Sequence, residues 1–247
     1  MITPPEPESE SESESEPVLR VATWNIHDAR GRNGERDLDR VAEMLGHLRA
    51  PIVGLQEVRC GSPACDAAYL ARQRGYHWHA IETWRHDDAQ YGNALLTTLP
   101  VESTQVHDLS VGRREPRAAL EAHLRWQGQR LRVVVTHLGL RAGERRTQVE
   151  RLLARLPPDD GSITILLGDI NEWWLWGRPL RWLHRRFGAS PSLRTYPARW
   201  PLFALDRVWV SPPWLVSAVS RLQAPAARTV SDHLPVVATI RFRGVAR

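Results

Sequence analysis

Lysine is absent from this chain of 247 residues, and cysteine occurs only twice. Every permanently charged basic side chain is therefore an arginine, which either codon bias in a GC-rich genome or a preference for arginine at phosphate sites would produce. Cys60 and Cys65 have no histidine or cysteine partners at metal-ligand spacing, which excludes a zinc-finger site. The two thiols either form a disulfide in an oxidising compartment or stay free in a loop.

Long hydrophobic runs are also missing. No apolar segment approaches the length that crosses a bilayer, which excludes a transmembrane helix. The N-terminus has no basic segment followed by an apolar stretch, so no ordinary signal peptide is recognised. We therefore expect a soluble, cytoplasmic protein.

Residues 1–17 differ in composition from the rest of the chain. They contain six acids, no bases and almost no apolar side chains, which predicts a disordered acidic tail. Residues 18–247 then form one domain, because 42% hydrophobic residues suffice for a single sizeable core. Removing the six acids of the tail from the net charge of +5 leaves +11 on this domain. Such a basic surface attracts phosphate-bearing partners, including nucleic acid, anionic lipid and nucleotides.

Strand-like and helix-like segments alternate along the domain. Apolar recurrence at helical spacing predicts helices over residues 37–48 and 144–156. Short apolar or β-branched runs predict strands over residues 18–26, 52–56, 76–81, 92–98, 118–126, 131–136, 163–167, 205–210 and 236–242. The middle strands are predicted to be antiparallel. The sum is a mixed α/β fold in which sheets are flanked by helices.

Two polar clusters adjoin predicted strands. Asp169 and Asn171 directly follow one apolar run, and Asp232 and His233 directly precede another. An acid, an amide and an imidazole at one rim can hold a divalent cation, orient a phosphate and activate water. The alternative for each residue alone is a turn or a helix cap. Together the clusters predict a metal-assisted phosphoester hydrolase.

Eight short motifs follow one another between residues 18 and 242: WNIH, LQE, YGNALLT, EPR, THL, GDIN, LDR and SDHLP. With these motifs in this order, the chain resembles the endonuclease/exonuclease/phosphatase superfamily. The resemblance implies a DNase I-like fold, a four-layer α/β/β/α sandwich of two mixed sheets flanked by helices. It also implies that the functional site lies where loops from both sheets converge.

The resemblance implies a metal centre. Glu57 corresponds to the principal ligand of Mg²⁺, a hard cation that prefers carboxylate oxygen and that Mn²⁺ can replace. Asn25 would hold a metal-bound water or a phosphate oxygen, and Asp232 would be a further acid near the metal. Residue 27 is a histidine where relatives that repair abasic DNA carry an acid, which favours one metal over two.

Catalytic and substrate-binding roles are implied in the same way. Asp206 and His233 correspond to a carboxylate–imidazole dyad, and Asp169 to the residue that aligns or deprotonates the attacking water. Asn171 would donate to the phosphoryl group, and His137 would steady charge or assist the leaving group. Two further residues are expected at the substrate: Asn93, and Arg117, for which the alternative is anchoring the start of a strand.

Residues 172–187 contain four tryptophans and four arginines. Such a segment can stack nucleic-acid bases, contact a membrane surface peripherally, or pack its tryptophans inward beneath a helix. Three functions stay open: a Mg²⁺-dependent phosphodiesterase or nuclease, a phosphohydrolase of phospholipids or small phosphate esters, and a non-catalytic binding module on the same fold. We expect a monomer.

Overall fold

The computed structural model describes residues 17–61, 65–86, 89–157 and 160–242, which form two packed β-sheets with helices on their outer faces. The strands are β1 (Val18–Asn25), β2 (Ile52–Arg59), β3 (His77–His86), β4 (Ala89–Thr97), β5 (Val101–Asp108), β6 (Ala118–Trp126), β7 (Gln129–His137), β8 (Ile163–Asp169), β9 (Asp206–Ser211), β10 (Val216–Arg221) and β11 (Val236–Arg241). The helices are α1 (Leu38–Leu48), α2 (Asp66–Arg74), α3 (Ala142–Arg155), α4 (Arg178–Phe187) and α5 (Ala227–Val230). Residues 1–16 of the predicted tail lie outside the described ranges.

The two sheets are mixed. The first has the strand order β10-β11-β1-β2-β4-β3 and the second β5-β6-β7-β8-β9. Parallel pairing joins β1 to β2 and β7 to β8. The other neighbouring strands pair in the antiparallel direction. This architecture confirms the predicted four-layer sandwich.

Alternation of side chains explains the continuous apolar runs of the central strands. Leu19 and Val21 of β1 lie in the core between the sheets, whereas Trp24 lies in the core shared with the helices of the first sheet. In β8, Leu167 faces the opposite sheet and Leu166 faces the core of α3 and α4. Both faces of these strands are buried, so apolar residues occupy successive positions.

A glycine sets the close approach of the sheets. A Cβ at Gly54 of β2 would contact Cδ1 of Leu167 on β8 and both methyls of Val135 on β7. The absence of a side chain at this position therefore lets the two sheets pack tightly.

Several elements were not predicted from sequence. Strand β5 lies at a sheet edge with mostly exposed side chains, so it shows no apolar alternation. Helix α4 buries Leu180, Leu183 and Phe187 at helical spacing, but tryptophans and arginines between them obscure the pattern. None of the helices in the described residues is long and apolar enough to cross a membrane.

Cys60 and Cys65 flank the undescribed residues 62–64, and both are free cysteines in the structure. The thiol of Cys60 donates to the carbonyl of Val58 at 3.3 Å. The sequence left a disulfide and free thiols as alternatives, and the structure has free thiols.

Candidate active site

The predicted site residues gather at one edge of the two sheets. The chain direction of their strands explains this, because parallel strands end at a common edge and antiparallel neighbours begin there. The residues and their positions are Asn25 at the end of β1, Glu57 near the end of β2, His137 and Asp169 at the ends of β7 and β8, Asp206 at the start of β9, Asn171 after β8, and Asp232 and His233 before β11.

Asn25 connects the two sheets within the site. Its side-chain nitrogen donates to Oε1 of Glu57 at 3.0 Å and to Oδ2 of Asp169 at 3.2 Å. Its side-chain oxygen accepts from the backbone N–H of His27 at 3.0 Å. Since that oxygen is engaged, Asn25 acts in the structure as a positioning residue for the two acids. Its expected metal-binding role stays a prediction.

The backbone at Glu57 is in a left-handed conformation with φ of 55°. It lies where the register between β2 and β4 shifts, between Leu55 and Val58. A residue other than glycine in this region costs on the order of 1–3 kcal/mol. Bulges of this kind redirect a side chain at the end of a strand. The strain therefore accompanies the placement of the Glu57 carboxylate at the site.

The GDIN motif has a local structural explanation. Gly168 has φ of 152°, and a Cβ there would contact the carbonyl oxygen of Thr136 on the neighbouring strand. Asn171 adopts φ of 52°, which asparagine tolerates better than most residues. Its backbone N–H donates to Oδ1 of Asp169 at 2.9 Å. Glycine and asparagine thus permit the turn that fixes the Asp169 carboxylate.

Asp206 and His233 form a buried pair. Nδ1 of His233 lies 2.8 Å from Oδ2 of Asp206, and Nε2 lies 3.7 Å from Oδ2 of Asp169. Burial lowers the pKa of His233, but the charges of Asp206 and Asp169 outweigh burial and raise this pKa to about 10. Burial raises the pKa of Asp169 to about 6, with Asp206 adding to the effect and His233 opposing it. A protonated imidazole therefore lies between two carboxyl groups.

The loop before β11 holds His233 in place. The hydroxyl of Ser231 donates to the carbonyl of Asn25 at 2.7 Å and accepts from the backbone N–H of His233 at 3.1 Å. The indole of Trp24 donates to the carbonyl of His233 at 2.9 Å. The ring of Tyr196 packs on the imidazole with 4.9 Å between centroids. These contacts fix the imidazole's position relative to both sheets.

His137 is a neutral histidine in a buried position. Burial and the charge of Arg117 lower its pKa well below the usual value. A guanidinium N–H of Arg117 lies 3.1 Å from Nδ1, which makes Nδ1 the acceptor and places the imidazole proton on Nε2. The Nε2–H then faces Oδ2 of Asp169 at 3.5 Å, whereas the side-chain nitrogen of Asn171, 3.0 Å from Nε2, donates to the carbonyl of Leu138 at 2.9 Å. The imidazole thus turns its N–H toward the interior of the site.

The structure gives Asn93 and Arg117 internal contacts. Asn93 is buried, and its side-chain nitrogen donates to the carbonyl of Ala118 on the opposite sheet at 2.9 Å. Arg117 is buried between His137 and Glu115, with a 2.8 Å ion pair to the latter. Contact of either side chain with substrate stays a prediction. In the structure, Arg117 orients His137 through the contact with its Nδ1.

Glu57 and Asp232 form the more open side of the site. Nδ1 of His27 lies 3.3 Å from Oε2 of Glu57 and 3.7 Å from Oδ1 of Asp232. The hydrogen bond to Glu57 raises the pKa of His27, although burial opposes it. Burial raises the pKa of Glu57, but the hydrogen bonds from His27 and Asn25 outweigh burial and lower it to about 2.

These oxygens fit a divalent cation. The two carboxylates converge on one group, the His27 imidazole, and their side chains are 25% and 37% exposed. Mg²⁺ prefers carboxylate oxygen and keeps several waters, so an accessible pair of carboxylates suits it. Glu57 and Asp232 are therefore the residues that would hold the ion.

A second group of metal-ligand types lies deeper. Ligand atoms of Asp169, Asp206 and His233 all lie within 4.8 Å of one another. Oδ1 of Asp206 has no hydrogen-bond partner in the described part of the chain. All three side chains are buried, however, and both nitrogens of His233 already face carboxylates. Their arrangement suits proton transfer better than it suits a hydrated ion.

Arginines hold the loop that contains His27 through its neighbour Asp28. Asp28 accepts two hydrogen bonds from Arg59 at 2.8 Å and one from Arg36 at 3.1 Å. The hydroxyl of Tyr91 also donates to it at 3.2 Å. Burial raises the pKa of Asp28, but the two guanidinium groups outweigh burial and lower it. The contacts of Asp28 thus anchor the strained residues 27–29, which all have positive φ.

A cationic pocket opens beside the carboxylates. It has a volume of about 260 Å³, and its lining includes His27 and Asp232 from the site. Four arginines also line it: Arg30, Arg32, Arg199 and Arg228. The pocket therefore offers positive charge next to the candidate cation position.

His27, Tyr196 and the pocket arginines were not predicted as site residues. For His27 the sequence holds two signals: its place two residues after Asn25, and its correspondence to a position where relatives that repair abasic DNA carry an acid. Tyr196 reaches the site through loop conformation and Arg228 through the short helix α5, and no motif encodes either.

Comparison with known proteins agrees with this geometry. The model of the endonuclease/exonuclease/phosphatase family matches residues 22–233. The Escherichia coli (strain K12) protein named "Uncharacterized protein YbhP" is 32% identical over 249 residues, covering 91% of this chain and 96% of its own length.

Solved structures share the fold. An endonuclease/exonuclease/phosphatase from Beutenbergia cavernae DSM 12333 superposes with a TM-score of 0.78 at 22% identity, covering 93% of this chain and 73% of its own. The human Nocturnin catalytic domain, solved with a bound sulfate anion, gives a TM-score of 0.72 at 22% identity, covering 92% and 94%. The family model and the relative at 32% identity show that this chain belongs to the endonuclease/exonuclease/phosphatase family, whose members are generally hydrolases of phosphoester bonds.

Proposed function

We propose that this protein is a divalent-metal-dependent phosphodiesterase, with Mg²⁺ as the cofactor and Mn²⁺ as its substitute. One observation carries the proposal: the Asn25 amide bonds both Glu57, on the cation side, and Asp169, on the proton-handling side. The two chemical functions are therefore held in one hydrogen-bonded unit at the mouth of the sandwich.

The roles of the residues follow from their protonation. Asp169, with its raised pKa, takes the proton of the attacking water as the new O–P bond forms. His233, protonated and held by Asp206, donates to a phosphoryl oxygen and compensates the charge that develops there. The Nε2–H of His137 and the amide of Asn171 assist the departure of the ester oxygen. A cation bound at Glu57 and Asp232 supplies Lewis-acid stabilisation of the phosphoryl charge.

The arginine-lined pocket supports a substrate with anionic character beyond the scissile phosphate. Arg32, Arg199 and Arg228 are exposed and have no acid partner among the described residues. Their charges would draw a nucleic acid or a phospholipid head group toward the carboxylates.

Hydrolysis of bis(p-nitrophenyl) phosphate tests the reaction class. We expect release of p-nitrophenol with Mg²⁺ or Mn²⁺, and none in the presence of a chelator. Asp169→Asn and Glu57→Gln should each lower kcat/KM by about 10²- to 10⁴-fold. The matched control is Asp160→Asn. Asp160 precedes the start of β8, at the opposite end of that strand from Asp169, so this substitution should leave the rate unchanged.

A wider panel of phosphoester substrates tests the alternative of a non-catalytic binding module. Absence of metal-dependent hydrolysis of this diester, nucleic acid, phospholipid and phosphomonoesters would contradict the proposal. That result would favour a non-catalytic binding module on the same fold.

A further inference from the structure

Three loops beside the candidate active site are tied into one surface. The first, residues 139–141, follows His137, and the second, residues 172–177, follows Asn171. Arg145 of α3 connects them by donating to the carbonyl of Leu140 at 2.7 Å and pairing with Glu172 at 3.2 Å. Glu172 in turn accepts from the backbone N–H of Trp174 at 3.2 Å. A buried ion pair therefore fixes the relative position of the two loops.

The third loop, residues 196–203, joins the same surface through Trp173. The indole of Trp173 contacts Tyr196 at 5.8 Å and Phe203 at 4.7 Å between ring centroids. Tyr196 also packs on His233. The half-buried Trp173 thus packs inward against a loop, whereas Trp182 of the same segment packs against the core of α3 and α4.

The outer side of these loops is apolar. Six of the ten large apolar residues that are exposed in the described chain lie on them, so their distribution is clustered. We call this set the apolar rim: Leu140, Trp174, Leu175, Trp176, Trp200 and Leu202. Trp176 and Trp200 are 69% and 68% exposed, which leaves large rings in water beside the mouth of the site.

The charge around the apolar rim is positive. Residues 172–203 contain six arginines and a single acid, Glu172, which is buried against Arg145. Arg178, Arg181 and Arg199 are exposed without an acid partner in the described ranges. The rim is therefore complementary to a partner that has an apolar interior and negatively charged groups at its surface.

A bilayer fits this surface better than a nucleic acid strand. Bases stack on aromatic faces, but half of the rim residues are leucines, which offer no stacking face. The rings of Trp174 and Trp176 pack on each other at 5.4 Å and 37°, which leaves no gap for a base between them. Exposed tryptophan and leucine side chains beside arginines are typical of protein surfaces that bind at a lipid–water interface.

We propose that the apolar rim docks on an anionic phospholipid bilayer, and that phospholipid phosphoesters are the substrate class of the adjoining site. The second part rests on the proposed function. The loops continue directly from His137 and Asn171, so docking would bring head-group phosphates to the catalytic residues.

Vesicle flotation tests the docking without any catalysis. The full chain is mixed, in chelator, with vesicles of phosphatidylcholine alone or of phosphatidylcholine with phosphatidylglycerol. We expect flotation with the anionic vesicles, weakened by salt. Trp174→Ala/Trp176→Ala should lower the partition coefficient by about tenfold or more. Trp214→Ala is the matched control, because Trp214 is 78% exposed but follows the far end of β9.

Three results would overturn the inference: no flotation with anionic vesicles, an equal loss in Trp214→Ala, or oligonucleotide binding in place of vesicle binding. A turnover assay separates the two proposals. The double variant should hydrolyse bis(p-nitrophenyl) phosphate normally but phosphatidylglycerol vesicles slowly. If the small diester is hydrolysed while flotation fails, only the docking inference falls. If no phosphoester is hydrolysed, the proposed function falls whatever the flotation shows.

Discussion

Arg117 shows how a single buried charge can set the protonation state of a candidate catalytic residue. Its guanidinium contacts Nδ1 of His137 and, after burial, is the largest influence that lowers the pKa of that imidazole. A neutral His137 keeps its proton on Nε2, toward the site. Arg117 acts through His137 and is thus a positioning residue.

Arg117→Gln should change the pH dependence of hydrolysis. Without the guanidinium, the pKa of His137 should rise toward the usual 6.5. The imidazole would then become charged at a higher pH and lower the basicity of Asp169, 3.5 Å away, so the acid limb of the kcat profile should move upward. We also expect kcat at its optimum to fall on the order of tenfold. Arg114→Gln, at an exposed arginine nearby, should leave the profile unchanged. An acid limb that stays in place in Arg117→Gln would contradict this role.

The sequence predicted the residues that adjoin strand ends. Glu57, Asp169 and His233 come together because their motifs border strands whose order places them at one edge. The left-handed backbone at Glu57 lies at the register shift between β2 and β4, and the 27–29 loop is held by contacts of Asp28 with Arg59 and Tyr91, which are distant in sequence. Loop positions of this kind cannot be predicted from motif spacing.

The connection between α3 and the loop after β8 is the buried ion pair of Arg145 and Glu172. Their side chains are 2% and 3% exposed, so neither charge is screened by water. Carbonyls of Gly139 and Leu140 accept further hydrogen bonds from the guanidinium. This pair therefore links helix packing to the surface beside the site.

Glu172→Gln should destabilise the fold by about 3–5 kcal/mol, because the Arg145 charge would stay buried without its partner. Urea denaturation measures the change. Arg145→Met/Glu172→Met should recover most of the loss, since no charge is then buried. The exposed pair Glu102 and Arg125 gives the control, and Glu102→Gln should cost at most about 1 kcal/mol. A loss in Glu172→Gln as small as that of the control would contradict the account.

Because β2 and β8 pack closely, substitutions at Gly54 and Leu167 should have non-additive effects on the free energy of unfolding. Gly54→Ala should cost about 1–3 kcal/mol, because the new methyl overlaps Leu167. In combination with Leu167→Ala it should cost less than the two single changes added together. Urea denaturation measures all three variants. Gly143→Ala is the control, since a Cβ there would have no neighbour within 4 Å among the described residues. Simple additivity would contradict this packing.

Central strands could be predicted at the element scale, because burial on both faces leaves continuous apolar runs such as that of β8. The edge strand β5 could not, since its exposed side chains carry no such pattern. Helix α4 was missed for another reason: its buried positions are apolar, but a half-buried tryptophan and several arginines separate them.

At the scale of the whole molecule, the order of eight motifs sufficed to predict the sandwich, and the structure and the family comparison confirm it. Partner choice was left open between nucleic acid and lipid, because net charge attracts both. The apolar rim gives a physical basis for the lipid proposal, which depends on how three separated loops assemble. Sequence composition alone does not contain that arrangement.

The central claim is that folding gathers Glu57 and Asp232 around one hydrated cation, beside the Asp169, Asp206 and His233 group. Anomalous diffraction from crystals soaked in Mn²⁺ tests it most directly. We predict a single peak in contact with the carboxylates of Glu57 and Asp232, with the His27 imidazole displaced. A peak between Asp169, Asp206 and His233, or no peak at either position, would contradict the account.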